Sequence, residues 1–288
     1  MYYNKKTIIF LDGNWINANN ASTNLYGQSL HYGLGVFEGI RSYKTNNGVK
    51  IFKAEEHFDR LHYSAKKMYI KLDYTVKNLI DFTYELLEIN KIKDAYIRPL
   101  VYLGADMSLK TSKEVHLMIC AWEQFKYLGE RKLRLMTSSF QRPNPRSCFV
   151  EAKVTGHYTN SILATTEAVN NGFDEALLLD LNNYVAEGPG ANFFYEKNGT
   201  LYTPPSGNIL SGITRKTIFQ LAKENSINVE ERLFSKEDVY NADGAFFTGT
   251  AAEIAPIESL DNHNFNLPWN KTIGFKLAIA YQQLVHTK

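Results

Sequence analysis

The chain is short of the features that would settle its function at sight. Among 288 residues it has two cysteines, Cys120 and Cys148, in no CxxC pair, which argues against a disulfide framework or a zinc site and fits a reducing, cytoplasmic setting. No apolar run approaches the ~18–20 residues that span a bilayer. The opening MYYNKKTIIFLDGNW has too short an apolar stretch for a signal peptide and runs straight into a strand-like pattern. There is no large charge of either sign. The formal net charge is +2, with basic residues spread out and balanced by acids, so neither nucleic acid nor an acidic membrane face is an expected partner. HExxH, GxxxxGK[ST] and GxSxG are all missing, so the chain carries no zincin, Walker A or nucleophile-elbow signature.

What remains is an ordinary globular composition, 44 % hydrophobic and 22 % charged, with length enough for one large domain or two smaller ones. Aromatic content is 13 %, including 18 Tyr and 17 Phe, which suits strands, apolar pockets and a subunit interface.

Pattern gives the organisation. TIIFLDGNWINA and GVFEGIRSY-KTNNG-VKIFKA read as hairpins around Asp12-Gly13-Asn14 and Asn46-Asn47-Gly48. EEHFDRLHYSAKKM and VKNLIDFTYELLEINKI have apolar residues at helical spacing, and AYIRPLVYLG and EVHLMICAW are strand-like. After QFKYLGER, residues 124–131, the pattern restarts with LRLMTS. SILATTEAVNNGF reads as a helix ending at Asn171-Gly172, residues 175–205 as a meander of three strands, and ITRKTIFQLAKENS as a helix. Short strands and a last helix, IGFKLAIAYQQLV, follow. The chain is thus expected to be mixed α/β, with two domains split near residue 128.

Several residues could carry chemistry, each with an ordinary alternative. Lys153 lies where the Pro-rich RPNPRSC segment gives way to a helix; most lysines are simply solvated. Leu210-Ser211-Gly212-Ile213-Thr214-Arg215 opens a helix whose unpaired N–H groups could hold a phosphate, or could be an ordinary capped end. Thr248-Gly249-Thr250-Ala251-Ala252-Glu253 could form an anion-binding nest or a tight turn. Glu187, ending an apolar strand before Gly188-Pro189-Gly190, is either an edge acid facing water or an inward carboxylate in need of a cation. Arg60 on a helix suits phosphate or a solvated face. Arg41 and Arg98 lie in strands. An amine, an acid and a separate phosphate cup are what pyridoxal phosphate chemistry requires.

In seven segments the chain resembles the fold-type IV pyridoxal-phosphate aminotransferases, and among them the bacterial branched-chain amino acid aminotransferases. These are HYGLGVFEGIRSY (31–43), HFDRLHYSAK (57–66), AYIRP (95–99), AK…GHY (152–158), EGPGANFF (187–194), LSGITR (210–215) and GTAAEI (249–254). They occur in the family's order and cover most of the chain. The resemblance implies a mixed α/β (α+β) fold with a small N-terminal α/β domain (1–123), an interdomain linker (124–135) and a larger, β-rich cofactor domain (136–288). It implies that Lys153 binds the cofactor covalently and shuttles a proton, that Glu187 holds the pyridine nitrogen protonated, and that Tyr158 donates to the phenolic oxygen. Arg60, Gly212, Ile213, Thr214 and Thr250 would form the phosphate site, with Leu210 against the ring.

For the substrate it implies an apolar pocket of Phe37, Gly39, Tyr96 and Tyr127, with Tyr32 from a neighbouring subunit. Arg98 would receive the distal carboxylate of glutamate, and Thr250 and Ala251 the α-carboxylate. The implied reaction exchanges an amino group between Leu, Ile or Val and 2-oxoglutarate, in a cytoplasmic homodimer or higher homo-oligomer. Two positions depart from the pattern: Gln124 stands where many relatives have tryptophan, with Trp122 two residues earlier, and His157 replaces a more usual Asn. A D-amino acid aminotransferase or aminodeoxychorismate lyase of the same fold, or a cofactor-free Schiff-base lyase, are the competing readings.

Overall fold

The structure is a computed structural model that describes residues 2–123 and 131–287. The chain falls into two compact units. The first comprises Met1–Phe125, Ala152–His157 and His286–Lys288, the second Lys126–Glu151 and Tyr158–Val285.

The first unit contains β1 (Ile8–Leu11), β2 (Asn14–Asn17), α1 (Gln28–Tyr32), β3 (Gly35–Phe37), β4 (Ile40–Thr45), β5 (Gly48–Ile51), α2 (Ala54–Lys67), α3 (Val76–Asn90), β6 (Ala95–Leu103) and β7 (Val115–Glu123). Its strands make a sheet in the order β2-β1-β7-β6-β4-β5, with β3 also on β6. Strand alternation sorts the two faces. Ala95, Ile97, Val101 and Leu103 of β6 join Leu117, Ile119 and Ala121 of β7 in a core with Phe58, Leu61 and Ala65 of α2 and Leu79, Leu86 and Leu87 of α3. The intervening residues Tyr96 and Arg98, paired across the ladder with Trp122 and Cys120, take the other face. Glu55 and Glu56 in the first turn of α2 and Lys66 and Lys67 in its last complement the helix dipole. Residues 152–157 belong to this unit through an antiparallel bridge between Val154 and Val36.

The second unit contains β8 (Leu133–Gln141), α4 (Tyr158–Asn170), β9 (Glu175–Leu179), β10 (Val185–Glu187), β11 (Asn192–Lys197), β12 (Thr200–Thr203), α5 (Ile213–Glu224), β13 (Asn228–Glu231), α6 (Lys236–Tyr240), β14 (Gly244–Gly249), β15 (Glu253–Leu260), β16 (His263–Asn264) and α7 (Ile273–His286). The expected three-strand meander is four strands, β9 to β12. The extra one, β10, is three residues long and pairs with both β9 and β11. That double pairing closes β10-β9-β8-β15-β14-β11 into a ring, from which β12 and β13 extend. Leu133, Leu135, Leu177, Phe193, Tyr195, Phe247 and Ile257 fill one face. Phe194 and Phe246 point the other way, stacked at 5.2 Å, and α5 covers them through Phe219. Among the described residues no helix is long and apolar enough to cross a membrane.

Candidate active site

In the first unit, α2 frames the candidate site. His57, Arg60 and Ser64 recur at intervals of three and four and share one helix face. Phe37 ends β3 on the side of Tyr96 and Arg98; the next residue, Glu38, turns to α2 and is fully buried. Arg60 grips it as a fork, Nε donating to Oε1 at 2.6 Å and Nη2 to Oε2 at 2.9 Å. His57 Nδ1 lies 2.8 Å from Oε2. Burial by itself raises the Glu38 pKa, but the Arg60 charge and the bonds from His57 and Arg60 outweigh it and hold the carboxyl below the usual range. Burial lowers the His57 pKa against the pull of Glu38. With Glu38 ionised and His57 neutral, the shared proton sits on Nδ1, which donates. A solvated helix face for Arg60 is therefore replaced by a buried ion pair.

Lys153 is half-buried and fixed on three sides. Its N–H donates to Ser64 Oγ at 3.0 Å, its carbonyl accepts from the Phe37 N–H at 3.1 Å, and its Nζ lies 4.9 Å from the Phe37 ring centroid. Arg98 approaches the same ring at 4.7 Å, with Tyr96 at 5.4 Å and Trp122 at 5.9 Å. Its Nη2 reaches Tyr96 Oη at 3.4 Å, and its Nε is buried with no partner among the described residues. Gly39 makes room for this cluster: a Cβ there would lie 1.9 Å from Tyr96 Oη. Phe37, Gly39, Tyr96, Arg98 and Lys153 thus come together. Tyr32, on α1, is exposed and donates from Oη to the Met107 carbonyl at 3.3 Å. Tyr127 and Gln124 lie outside the described residues.

In the second unit, Glu187 is 4 % exposed and inward-facing, so the edge-acid reading fails. Oε1 accepts from the Leu210 N–H at 3.1 Å and pairs with Arg142 Nη2 at 3.0 Å. Oε2 accepts from Asn192 Nδ2 at 2.9 Å, which also donates to the Leu210 carbonyl. The Glu187 strand is thereby tied to the segment that enters α5. Gly212 caps α5 without a side-chain hydrogen bond, so the N–H groups of Thr214 and Arg215 lack the usual Ser/Thr-type cap. A Cβ on Gly212 would meet Asn192 Oδ1 at 1.9 Å. Across the sheet Asn192 pairs with Thr248, whose Oγ1 is buried with no partner among the described residues. Thr250, Ala251 and Ala252 form the half-buried turn from β14 to β15. Tyr158 opens α4, and Ser161 one turn on anchors that helix to the Pro189 carbonyl at 2.6 Å.

Glu38, His57, Ser64, Arg142 and Asn192 of the candidate site were not singled out from the sequence, and Thr248 was named only as part of the small-residue run. Glu38 was readable in principle: in FEGIR it must face opposite Phe37. Asn192 follows the glycine-rich turn of EGPGAN. Arg142 and Ser64 leave no local signal. Among the described residues no three His, Cys, Asp or Glu side chains are grouped to hold a metal ion.

The class IV amino-transferase family model matches residues 35–260. The chain belongs to the class IV aminotransferases. This class IV aminotransferase is 41 % identical over 287 residues to the branched-chain-amino-acid aminotransferase of Pseudomonas aeruginosa, a match covering 98 % of this chain and 94 % of the relative. Its structure is similar to that of the Escherichia coli branched-chain amino acid aminotransferase, with a TM-score of 0.93 and 35 % identity over 98 % of this chain and 95 % of that one. It is similar also to the branched-chain amino acid aminotransferase of Thermobaculum terrenum, solved in its PLP-bound holo-form. There the TM-score is 0.91 and the identity 32 %, over 98 % of this chain and 94 % of that one.

Proposed function

We propose that this class IV aminotransferase exchanges the amino group between L-leucine, L-isoleucine or L-valine and 2-oxoglutarate, using pyridoxal 5'-phosphate. The observation that carries the substrate assignment is that an amine and a cation share one aromatic wall. Lys153 Nζ and Arg98 lie 4.9 Å and 4.7 Å from the Phe37 ring centroid. A branched alkyl chain packs against Phe37 and Tyr96, while the distal carboxylate of glutamate meets Arg98, whose Nε has no partner among the described residues. One pocket thereby serves both halves of a ping-pong cycle.

The donor set fits the cofactor. The α5 end without a side-chain cap and Thr248 Oγ1, which has no partner among the described residues, suit an anion of phosphate type, and the buried Glu187 suits a protonated ring nitrogen. When bound, pyridoxal phosphate supplies an electron sink for the carbanion left at the substrate Cα. Lys153 Nζ would bind the cofactor at rest, then take the substrate Cα proton and deliver it to the cofactor's C4′ carbon. Glu187 keeps the ring nitrogen protonated and Tyr158 donates to the phenolic oxygen. Arg60, Thr214, Thr250 and the N–H of Ile213 hold the phosphate, Gly212 gives the backbone close approach, and Leu210 packs on the ring. Thr250 and Ala251 offer N–H groups to the α-carboxylate.

The proposal includes a homodimer or larger assembly in the cytoplasm. Leu25, Tyr26, Leu30 and Tyr32 are exposed in and beside α1, an apolar surface of the kind a neighbouring subunit covers, and Tyr32 would then reach the partner's pocket.

The test is an absorbance spectrum of the purified protein before and after L-leucine, with D-alanine as control and Lys153→Ala as variant. The expected result is a cofactor band that shifts to the pyridoxamine form with L-leucine, is indifferent to D-alanine, and gives no turnover in the variant. A band indifferent to L-leucine would overturn the substrate; no band after adding cofactor would overturn the cofactor.

A further inference from the structure

We infer that Glu38 is a positioning residue for Arg60, and that His57 is the support that fixes Glu38 in turn. The inference rests on the reading above in which Arg60 holds the cofactor phosphate.

A fully buried carboxylate is a costly thing to place under a helix. An apolar residue of similar volume packed against an apolar α2 face would serve stability as well or better. Glu38 is instead met by donors on every side: Arg60 Nε and Nη2, His57 Nδ1 and, at 3.3 Å, the N–H of Gly39. Its own N–H donates to the Pro99 carbonyl at 3.0 Å, so the backbone carrying the carboxylate is fixed to β6.

The geometry of the grip matters more than its strength. A guanidinium is planar, with its donors at fixed angles. Once Nε and Nη2 are both held by one carboxylate, the plane of the group and the direction of its Nη1 edge are set. A single-point ion pair would leave that plane free to rotate. His57 removes the remaining freedom by pinning Oε2 from the preceding turn of α2. The same few residues also fix the amine, because Phe37 holds the Lys153 carbonyl and Ser64, one turn beyond Arg60, accepts the Lys153 N–H. The end of β3 and one face of α2 thus form a single frame that orients both the reactive amine and the phosphate cation.

The experiment titrates the apoenzyme with pyridoxal 5'-phosphate and, separately, with pyridoxal, which lacks the phosphate, following cofactor absorbance. Wild type is compared with Glu38→Gln, His57→Gln and Arg60→Met. Glu38→Gln is expected to weaken pyridoxal phosphate binding by about 10–100-fold, the value of a charge-assisted hydrogen bond, and to leave pyridoxal binding nearly unchanged. His57→Gln is expected to give a smaller loss of the same phosphate-selective kind. Equal losses for both ligands, or no loss, would overturn the inference, since a purely structural ion pair has no means to distinguish them. Arg60→Met separates the two claims. If it leaves the preference for the phosphate intact, the role of Arg60 itself fails. If it abolishes the preference while Glu38→Gln and His57→Gln retain it, only the positioning inference fails. Should Glu38→Gln not fold, as judged by circular dichroism, His57→Gln decides, because it perturbs the same oxygen while leaving the Arg60 pair in place.

Discussion

Phe37 and Lys153 hold each other twice: the Phe37 N–H donates to the Lys153 carbonyl at 3.1 Å, and Lys153 Nζ returns to within 4.9 Å of the Phe37 ring centroid. A flexible side chain is thereby mounted on a backbone that has little freedom. The third support is Ser64, and Ser64→Ala removes the acceptor of the Lys153 N–H. Stability should drop by about 1–3 kcal/mol, and kcat with L-leucine by up to about 10²-fold, the effect of a small displacement of a reacting group. Urea midpoints and steady-state kinetics measure the two; an unchanged kcat would mean that Ser64 does not position the amine.

Gly39→Ala should narrow the pocket. The added Cβ would stand 1.9 Å from Tyr96 Oη, and Tyr96 in moving would disturb Arg98, 3.4 Å away. The expected loss in kcat/KM for L-leucine is roughly 10–200-fold, the worth of about one methylene in a fitted pocket, with a smaller loss for L-alanine. Equal losses for both would point to a general folding defect.

Arg98→Met keeps an unbranched side chain and removes the cation. The kcat/KM for L-glutamate should fall about 10–100-fold, while that for L-leucine changes much less. A parallel fall for both substrates would show that Arg98 shapes the aromatic cluster and does not read the distal carboxylate.

Arg142→Met tests the second unit. Arg142 and Glu187 have side chains 8 % and 5 % exposed and meet at 3.0 Å. Removing one partner leaves a buried charge behind, at a cost of about 3–5 kcal/mol. Urea unfolding should show this, and Arg142→Met combined with Glu187→Met should recover much of the loss.

Acid should weaken the fold in two stages. Burial, aided by the charges of Arg60 and Lys153, lowers the His57 pKa from its ordinary 6.5. Burial raises that of Glu38, but Arg60 and His57 outweigh it and bring it below the ordinary 4.5. In both cases the unfolded chain takes up a proton before the folded one, so stability falls as pH falls. It is complete above about pH 6.5, declines first through His57, and declines again through Glu38 below about pH 4.5. Melting temperatures across that range should show both stages, and His57→Gln should lack the first. A flat profile between neutral pH and the carboxylate range would overturn the account of His57.

Much of this protein is local and could be read along the chain. Alternation assigns Ala95, Ile97 and Val101 to one face of β6 and Tyr96 and Arg98 to the other, and helical spacing places Phe58, Leu61 and Ala65 together on α2. Both follow from backbone geometry over a few residues. The chemical inventory was readable too: an amine at Lys153, an acid at Glu187, a helix start at Gly212 and a small-residue turn at Thr250, all within the span that the class IV aminotransferase model matches. The sequence could not say which of these groups are buried or what satisfies them. Ser64 and Lys153 are 89 residues apart, and Glu38 and Arg60 are 22 apart; Arg142, just past β8, meets Glu187 of β10 only once β9 lies between those strands. A buried charge or N–H must be paired, but any donor or acceptor that the fold delivers can pair it. That choice is made by long-range packing, so the tertiary structure alone decided that Arg60 holds Glu38, that Arg142 and Asn192 hold Glu187, and that Lys153 is a mounted amine instead of a solvated one.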